Sequence, residues 1–277
     1  MKENESDKRG KKVSPRGDLE GVVLNPIASI RTDFPTKFGV PRQSGLVKGL
    51  KGRIIFEHEY RDPEALRGLE RFSHIWLLWD FSEARLHRAG EKKCLPSGRF
   101  GGGRPTVRPP RLGGNQRMGV WATRSPFRPN HIGLSSVRIL NIDLHTPDGP
   151  IIEVEGADMM DGTPIFDIKP YLAFTDSHPD ATGSLTPNPI PSGGGTENGA
   201  NNSTPSNGQS EQLLIVNFQS SICEAFDAPH LSALREILAS DPRPHYHDDP
   251  DRIYAFEFAG KKVKFRVKED GIEAWLG

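Results

Sequence analysis

Five segments of the chain combine arginine, aspartate and asparagine with glycine and proline, and each lies between apolar stretches. In chain order they read VPRQSGLVKGL, RPTVRPPRLGGN, ATRSPFRPNHIGLS, MMDGTPIFDIKPY and SDPRPHY. Guanidinium groups stay charged and bind phosphate or carboxylate oxygens with two donors, while carboxylates can accept protons. Glycine and proline alone would only shape turns. Five such segments, with arginine concentrated in two of them, favour a binding or catalytic site built on loops.

The charges of the chain are separated along its length. The formal net charge is zero, because 36 lysines and arginines balance 36 aspartates and glutamates. Residues 85–128 nevertheless hold eleven basic residues and one acid, and residues 148–180 hold eight acids and one base. An arginine-rich block suits a phosphate-bearing partner. The alternative is a solvated loop that pairs with the acidic block, and charge alone does not decide between the two.

Missing motifs disfavour several kinds of site. The sequence has no GxGxxG, no GxxxxGK[ST] and no GxSxG, which argues against a Rossmann site, a P-loop and a serine hydrolase. The nine histidines show no metal-ligand spacing, and no metal is expected. Cys94 and Cys223 match neither a disulfide framework nor a zinc site, which favours a reducing compartment. Without a signal peptide or a membrane-spanning run, we expect a cytoplasmic protein.

The composition divides the chain into four parts. Residues 1–19 are polar and charged and predict a disordered tail. Residues 20–180 hold successive strand patterns, and residues 181–210, which are rich in serine, threonine, asparagine, glycine and proline, predict a flexible linker. Residues 211–277 predict a small α+β domain. Strands that follow one another with few helices favour an antiparallel β-barrel over an alternating βαβ sheet, so the expected fold class is mainly β.

Local patterns predict individual elements. A helix should begin at Pro63, and HIWLLWDF should be a strand buried on both faces. GVWAT should be a strand, whereas prolines should keep RPTVRPPRLGG out of a regular ladder and should break the segment at Pro164 and Pro170. In the C-terminal part, Asp227 should cap an amphipathic helix, and Gly260 should turn between antiparallel strands.

Longer stretches of the sequence resemble those of a known family. The stretch RPTVRPPRLGGNQRMGVWATRSPFRPN, followed by IGLS and DGTPIFDIKPY, closely resembles the TsaA-like β-barrel methyltransferases known as TrmO. These are tRNA (N6-threonylcarbamoyladenosine37-N6)-methyltransferases. VPRQSGLVKG and ALRGLERFSHIW match the family near its N-terminus, and SDPRPHY and RIYAFEF match its C-terminal domain.

The resemblance implies a fold, a reaction and partners. The fold is a small barrel that binds S-adenosylmethionine without a Rossmann framework, followed by a small C-terminal domain. The implied product is N6-methylated t6A (m6t6A) at position 37 of threonine tRNA, made by a homodimer with its sites near the subunit interface. The missing GxGxxG, which would disfavour an ordinary methyltransferase, fits this family.

The resemblance also assigns residues. The implied cofactor-binding residues are Pro41, Arg42, Gln43, Phe81, Ser82, Glu83, Arg124, Leu134, Asp161, Gly162 and Thr163. Candidates for handling the proton of the N6 nitrogen are Asn130, Asp161, Asp241 and Tyr246. The arginines expected to bind tRNA are Arg104, Arg108, Arg111, Arg128 and Arg243.

Aromatic residues near these arginines could stack on bases. Trp121, Phe127 and Tyr246 are the candidates, although for Trp121 packing in the core of a strand is the favoured interpretation. His131 follows RPN where the family pattern has a small residue or proline, and we expect it only to tolerate the same turn. Ser82 and Glu83 also depart from the family pattern.

Two other functions fit the sequence. A binding module could keep the cofactor pocket and regulate without catalysis. A barrel methyltransferase could also act on a different nucleoside or on a small molecule. Methyl transfer from labelled S-adenosylmethionine to tRNA separates the first from an enzyme, and tRNA that lacks t6A separates the second.

Overall fold

The computed structural model describes residues 23–84, 104–108, 117–181, 214–243, 249–269 and 271–277. The predicted N-terminal tail, most of the excursion after Ala84 and the linker after Ala181 lie outside these residues, as do Arg111 and Tyr246. The predicted domain limits stay a prediction.

The first part of the described chain is a closed antiparallel barrel, as predicted. The strands of this part are β1 (Ala28–Arg31), β2 (Lys51–Phe56), β3 (His74–Asp80), β4 (Thr106–Val107), β5 (Met118–Gly119), β6 (Ile132–Thr146), β7 (Gly149–Glu155) and β8 (Thr163–Pro170). The barrel strands lie in the order β1-β2-β7-β6-β3-β8, and each neighbouring pair is antiparallel. Strands β4 and β5 form a separate two-stranded sheet.

The barrel interior is filled by alternate residues of the strands. In β3, Ile75, Leu77 and Trp79 are buried, whereas Trp76 and Leu78 are half-buried on the outer side. The prediction of a strand buried on both faces is therefore wrong, because an antiparallel barrel packs only one face of each strand into its core. Gly133 of β6 admits the close approach of the Trp79 indole, since a Cβ there would lie 2.2 Å from the ring.

Two predictions about prolines also need correction. Pro164 lies inside β8 rather than breaking it, whereas β8 does end at Pro170. In the pairing registers β1 covers residues 163–165 and β3 covers 165–170, so each proline has a paired strand on one side only, where its missing amide is tolerated. The arginine-rich excursion likewise forms a two-residue ladder, with Thr106 and Val107 opposite Gly119 and Met118.

Two further local predictions need correction. In place of a helix beginning at Pro63, the chain forms two single 3-10 turns, Pro63–Leu66 and Leu69–Arg71. Gly68 between them has a φ of 91°, which no α-helix can accommodate. GVWAT is not a strand: Gly119 ends β5, and Val120–Ala122 form a 3-10 turn around the buried Val120.

The C-terminal part is an α+β unit, as predicted. Its four strands lie in the order β10-β11-β12-β9, with only β9 and β12 parallel among those described. A short helix, α1 (Ala173–Asp176), follows the barrel. The remaining elements are β9 (Val216–Phe218), α2 (Ser220–Ala225), α3 (Ala228–Ala239), β10 (Tyr254–Phe258), β11 (Lys261–Lys268) and β12 (Gly271–Leu276).

The predicted cap and turn of this unit are confirmed. The Asp227 side chain accepts a hydrogen bond from the backbone amide of His230 and caps α3. Ala259 and Gly260, both with positive φ, turn the chain between β10 and β11.

The loop between β1 and β2 is packed into the C-terminal core. Phe34, Val47 and Leu50 belong to the same buried cluster as Leu234 and Phe256. A Cβ at Gly39 would lie 2.4 Å from the Phe256 ring, so loop and sheet are in direct contact. The C-terminal unit thereby fixes the loop that carries Pro41, Arg42 and Gln43.

Candidate active site

Three loops leave the same end of the barrel. Arg31 ends β1, Asp80 ends β3 and Glu155 ends β7, while β2, β6 and β8 begin there, as the antiparallel registers require. The loops are residues 32–50, 81–131 and 156–162. They contain the predicted cofactor residues of the barrel part except Leu134 and Thr163, which lie at the starts of β6 and β8. A barrel end with long loops is a usual place for a ligand site.

The C-terminal unit contributes a loop to this end. The Arg42 guanidinium donates to the carbonyl oxygens of Asp241 and Arg243, at 3.4 and 3.5 Å. Arg243 Nε lies 2.8 Å from Asp241 Oδ2, and both side chains are largely buried. Asp241 has a φ of 46°, which leaves its carbonyl and carboxylate on a tight turn. Three sequence-predicted residues therefore meet at one junction.

Arg124 joins the same region from the long loop. Its Nη1 donates to the side-chain oxygen of Gln43, next to Arg42. Pro41 directly precedes Arg42 and Gln43 in the chain, and its ring fixes the backbone φ angle at that position. The structure thus brings together Arg42, Gln43 and Arg124, which are far apart in the sequence.

A cavity of about 510 Å³ opens beside Arg124 on the outer side of β3 and β6. Leu134 contributes an apolar wall and is 54 % exposed. The Trp76 and Tyr171 rings are 5.4 Å apart, and Trp76 Nε1 donates to Asp176 at 2.8 Å. The lining residues are Ser44, His74, Trp76, Arg124, Leu134, Ser136, Tyr171 and Asp176.

A buried hydrogen-bond chain supports the wall of this cavity. Trp79 Nε1 donates to Ser135 Oγ at 3.0 Å, and Ser135 Oγ donates to Asp158 Oδ1 at 2.6 Å. Burial raises the pKa of Asp158, while Ser135, the Ser44 amide and the nearby Arg124 act against that shift. Asp158 therefore ties β6 to the loop that holds Gln43.

Asp161 lies at a different cavity, of about 370 Å³, at the rim between β1, β2 and α3. Its Oδ1 lies 3.0 Å from Arg31 Nε and accepts the Thr32 amide at 3.0 Å. Gly162, with a φ of 75°, and Thr163, whose hydroxyl donates to Met160, complete a tight turn. Of the predicted cofactor residues, Arg124 and Leu134 thus line the first cavity and Asp161 lines the second, while the others line neither.

The predicted cofactor residues Phe81, Ser82 and Glu83 follow β3 and contact the end of the long loop at His131. The Phe81 amide donates to the carbonyl of His131 at 2.8 Å, and Ser82 and Glu83 follow in a helical turn. Asn130 is exposed. His131 is 7 % exposed, and its Nδ1 lies 2.9 Å from the carbonyl of Pro126. Its Nε2 is buried without a hydrogen-bond partner among the described residues, and its φ is 52°, so it occupies a strained turn.

Arg104, Arg108 and Arg128 lie in the same long loop. Arg104 lies over the Phe127 ring at 4.8 Å, and Arg128 over the Trp121 ring at 5.8 Å. The core-packing interpretation of Trp121 is wrong, because its side chain is 66 % exposed. Val120 supplies the buried contact of that turn instead.

Several cavity residues are not apparent from the sequence. Trp76, Tyr171 and Asp176 line the cavity, and Asp158 lies behind it. Trp76 and Tyr171 end the stretches ALRGLERFSHIW and DGTPIFDIKPY, but no sequence pattern marks any of the four as a site residue. Alternation in HIWLLWDF could have placed Trp76 on the outer face. The contact between Trp76 and Asp176 spans 100 residues, and no local pattern encodes it.

The fold and the arrangement of its loops define a class: a non-Rossmann β-barrel protein whose arginine-bearing loops meet at one end of the barrel, beside a cavity on its outer wall. The family model described as the tRNA-methyltransferase O N-terminal domain matches residues 29–177, and the TrmO C-terminal domain matches residues 212–275. The chain belongs to this family and is a methyltransferase. In its described part, no helix is long and apolar enough to cross a membrane.

Similar proteins agree with this assignment. The chain is 40 % identical to a tRNA (adenine(37)-N6)-methyltransferase of Escherichia coli K12, over 93 % of this chain and 98 % of that protein. It is 36 % identical to RcsF of Pseudomonas aeruginosa, named for S-adenosylmethionine-dependent methyl transfer, over 83 % of this chain and 86 % of that protein. A crystal structure of TrmO from Pseudomonas aeruginosa matches with a TM-score of 0.65 at 26 % identity, covering 94 % of this chain and 98 % of the other.

Proposed function

We propose that this methyltransferase transfers a methyl group from S-adenosylmethionine to the N6 nitrogen of t6A at position 37 of threonine tRNA, giving m6t6A. The observation that carries the proposal is the junction of Arg42, Gln43 and Arg124 with Asp241 and Arg243. It joins the barrel loops to the C-terminal loop beside a ligand-sized cavity. The 40 % identical Escherichia coli relative is named for the same position and atom of tRNA.

The residues of the cavity fit S-adenosylmethionine. A volume of about 510 Å³ lies within the range of small-molecule pockets. The aromatic pair Trp76 and Tyr171 and the apolar Leu134 suit an adenine ring, and Arg124 suits a carboxylate. Asp176 offers a carboxylate to a cation, and its pKa is lowered by the Leu172 amide and by Trp76. When bound, the cofactor supplies an electrophilic methyl group on a sulfonium.

In this proposal the sequence-predicted cofactor residues act at or near this cavity, which Arg124 and Leu134 line directly. Arg42 and Arg124 hold the carboxylate, and Pro41 and Gln43 shape the loop between them. Leu134 gives an apolar contact, and the Phe81–Glu83 segment lies behind the loop at Asn130. Asp161 lines the second cavity, and Gly162 and Thr163 form the turn that carries it. The Asp161 turn contacts the same cofactor molecule if the Asp161 cavity of a second copy of the chain faces the Arg124 cavity of the first copy.

That division supports the proposal of a homodimer. Two copies in which the Asp161 cavity of one faces the Arg124 cavity of the other would complete two equivalent sites. Such an isologous arrangement is the commonest form of a protein dimer. We also place the enzyme in the cytoplasm, where its tRNA substrate is found.

The protein side chains contribute to methyl transfer in two ways: they position the substrate, and they accept the proton that the N6 nitrogen loses. The N6 nitrogen is a weak nucleophile and loses a proton during transfer, so a nearby acceptor lowers the barrier. Asn130 is exposed in the long loop that carries Arg124, and Tyr246 follows Asp241 in the sequence. Asp161 and Asp241 are both paired with arginines, which favours positioning over proton removal.

The arginines of the long loop and the C-terminal loop bind the anticodon stem-loop. Arg104 and Arg108 are exposed and can reach phosphates. Arg111 follows them in the sequence, before the next barrel strand, β6. Arg128 and Arg243 are held by backbone or carboxylate partners and set the shape of the surface. Position 37 lies next to the anticodon in a single-stranded loop, where the base can leave the stack.

Methyl transfer measured in vitro tests the proposal. Labelled S-adenosylmethionine is incubated with the full chain and with tRNA that carries or lacks t6A. The proposal expects label only in the t6A-containing tRNA. Equal labelling of both would remove t6A from the substrate definition. Cofactor binding without transfer would favour a regulatory binding module.

A further inference from the structure

Trp121 is an exposed indole on a rigid support. It lies in the 3-10 turn Val120–Ala122, whose Val120 side chain is fully buried. Thr123 Oγ1 donates to the carbonyl of Val120 at 2.9 Å and closes the turn. A large apolar ring is thus held outward at 66 % exposure.

Arg128 is fixed over this ring. Its guanidinium lies 5.8 Å from the Trp121 centroid, and its Nη1 donates to the carbonyls of Thr123 and Ser125 at 3.1 and 3.4 Å. Those bonds hold the charged plane in place before any ligand arrives. Arg104 over Phe127, at 4.8 Å, repeats the pair on the same loop.

The described residues that precede and follow Trp121 in its loop carry charge of one sign. Residues 104–108 and 117–131 contain Arg104, Arg108, Arg117, Arg124 and Arg128 and no acidic residue. A similar pair in the C-terminal sheet differs in this respect. Arg266 lies 5.9 Å from the Trp275 ring, but Glu273 pairs with Arg266 at 2.7 Å and with Lys268 at 3.0 Å. Of these two Trp–Arg pairs, the Trp121 pair has no acidic residue paired with its arginine among the ion pairs of the described residues, whereas the Trp275 pair does.

We propose that Trp121, backed by Arg128, is a stacking platform for an unpaired nucleobase of the RNA substrate, other than the base that is methylated. Aromatic rings stack on any base through its π-face, and guanidinium groups hold the adjoining phosphates. The surface therefore selects single-stranded RNA over a duplex, whose bases are already stacked. The inference rests on the proposed function, because that function makes RNA the partner.

Binding measured on matched RNAs tests the platform. The probes are an anticodon stem-loop and a fully paired RNA duplex of equal length, titrated into the full chain and its Trp121→Ala, Trp121→Phe and Trp275→Ala variants. Trp121→Ala should weaken stem-loop binding roughly tenfold or more. Trp121→Phe should keep part of the affinity, and Trp275→Ala should bind as wild type. Duplex binding and S-adenosylmethionine affinity should not change.

Three results would overturn the platform. One is unchanged stem-loop affinity in Trp121→Ala, and another is an equal loss for stem-loop and duplex. The third is a loss of dimer in Trp121→Ala, which would make Trp121 a contact between copies. Failure of the proposed function gives a different result, since wild type would then bind the stem-loop but methylate no tRNA.

Discussion

The guanidinium of Arg42, in the loop after β1, donates a hydrogen bond to the backbone carbonyl of Asp241, which lies 199 residues further along the chain. The barrel and the C-terminal unit therefore meet at a residue of the candidate site. The C-terminal unit shapes the cofactor loop directly, and its Phe256 packs against Gly39 of the same loop.

Replacement of Arg42 should therefore separate activity from folding. In Arg42→Ala we expect kcat/KM for methyl transfer to fall at least roughly tenfold, because a charged donor at the junction is lost. The free energy of unfolding should fall by only about 1 kcal/mol, since both hydrogen bonds are long. Arg67→Ala is the control: Arg67 is exposed and pairs with the exposed Glu64, so its replacement should leave both quantities unchanged. Equal losses in the two variants would contradict the role of Arg42.

Much of the fold is predictable from local pattern, and the junction is not. The helix cap at Asp227 and the turn at Gly260 depend on only a few neighbouring residues, so the sequence is sufficient to predict both. The prolines of β8 are tolerated because of where neighbouring strands end, which depends on the closed barrel. The link between Arg42 and Asp241 likewise arises from long-range packing. The family resemblance selected both residues without indicating that they touch.

The pKa of Asp158 predicts a pH effect on stability. Burial raises the pKa of this carboxyl in the folded state above the unfolded value of about 3.9. The stability that the protonated Asp158 contributes to the folded state is therefore fully present below the unfolded pKa. It is lost as the pH rises through the folded pKa. Unfolding by urea from pH 4 to 7 should show wild type losing stability relative to Asp158→Asn as pH increases. A difference that is constant or grows in favour of wild type would refute the shift.

The contact between Gly133 and Trp79 predicts a steric effect. A methyl group at Gly133 would overlap the indole, so Gly133→Ala should lower the free energy of unfolding by about 1–3 kcal/mol. It should also disturb the chain from Trp79 through Ser135 to Asp158. Gly119→Ala is the matched control, because a Cβ there has open space and its φ is −59°. Similar stability of the two variants in urea would show that the barrel accommodates the methyl group.

Arg108 predicts a change in salt dependence. If it binds one phosphate, Arg108→Ala should reduce the slope of log affinity for tRNA against log salt concentration by roughly one unit. Arg71→Ala, on a turn at the opposite end of the barrel, should keep the wild-type slope. An unchanged slope in Arg108→Ala would leave Arg108 as a structural residue.

The central claim is tested most directly by mass spectrometry of tRNA nucleosides from a strain that lacks this chain and has no paralogue. The account predicts that m6t6A disappears while t6A remains. Wild-type protein should restore m6t6A, and Arg42→Ala should not. Persistence of m6t6A in the deletion strain would contradict the assignment.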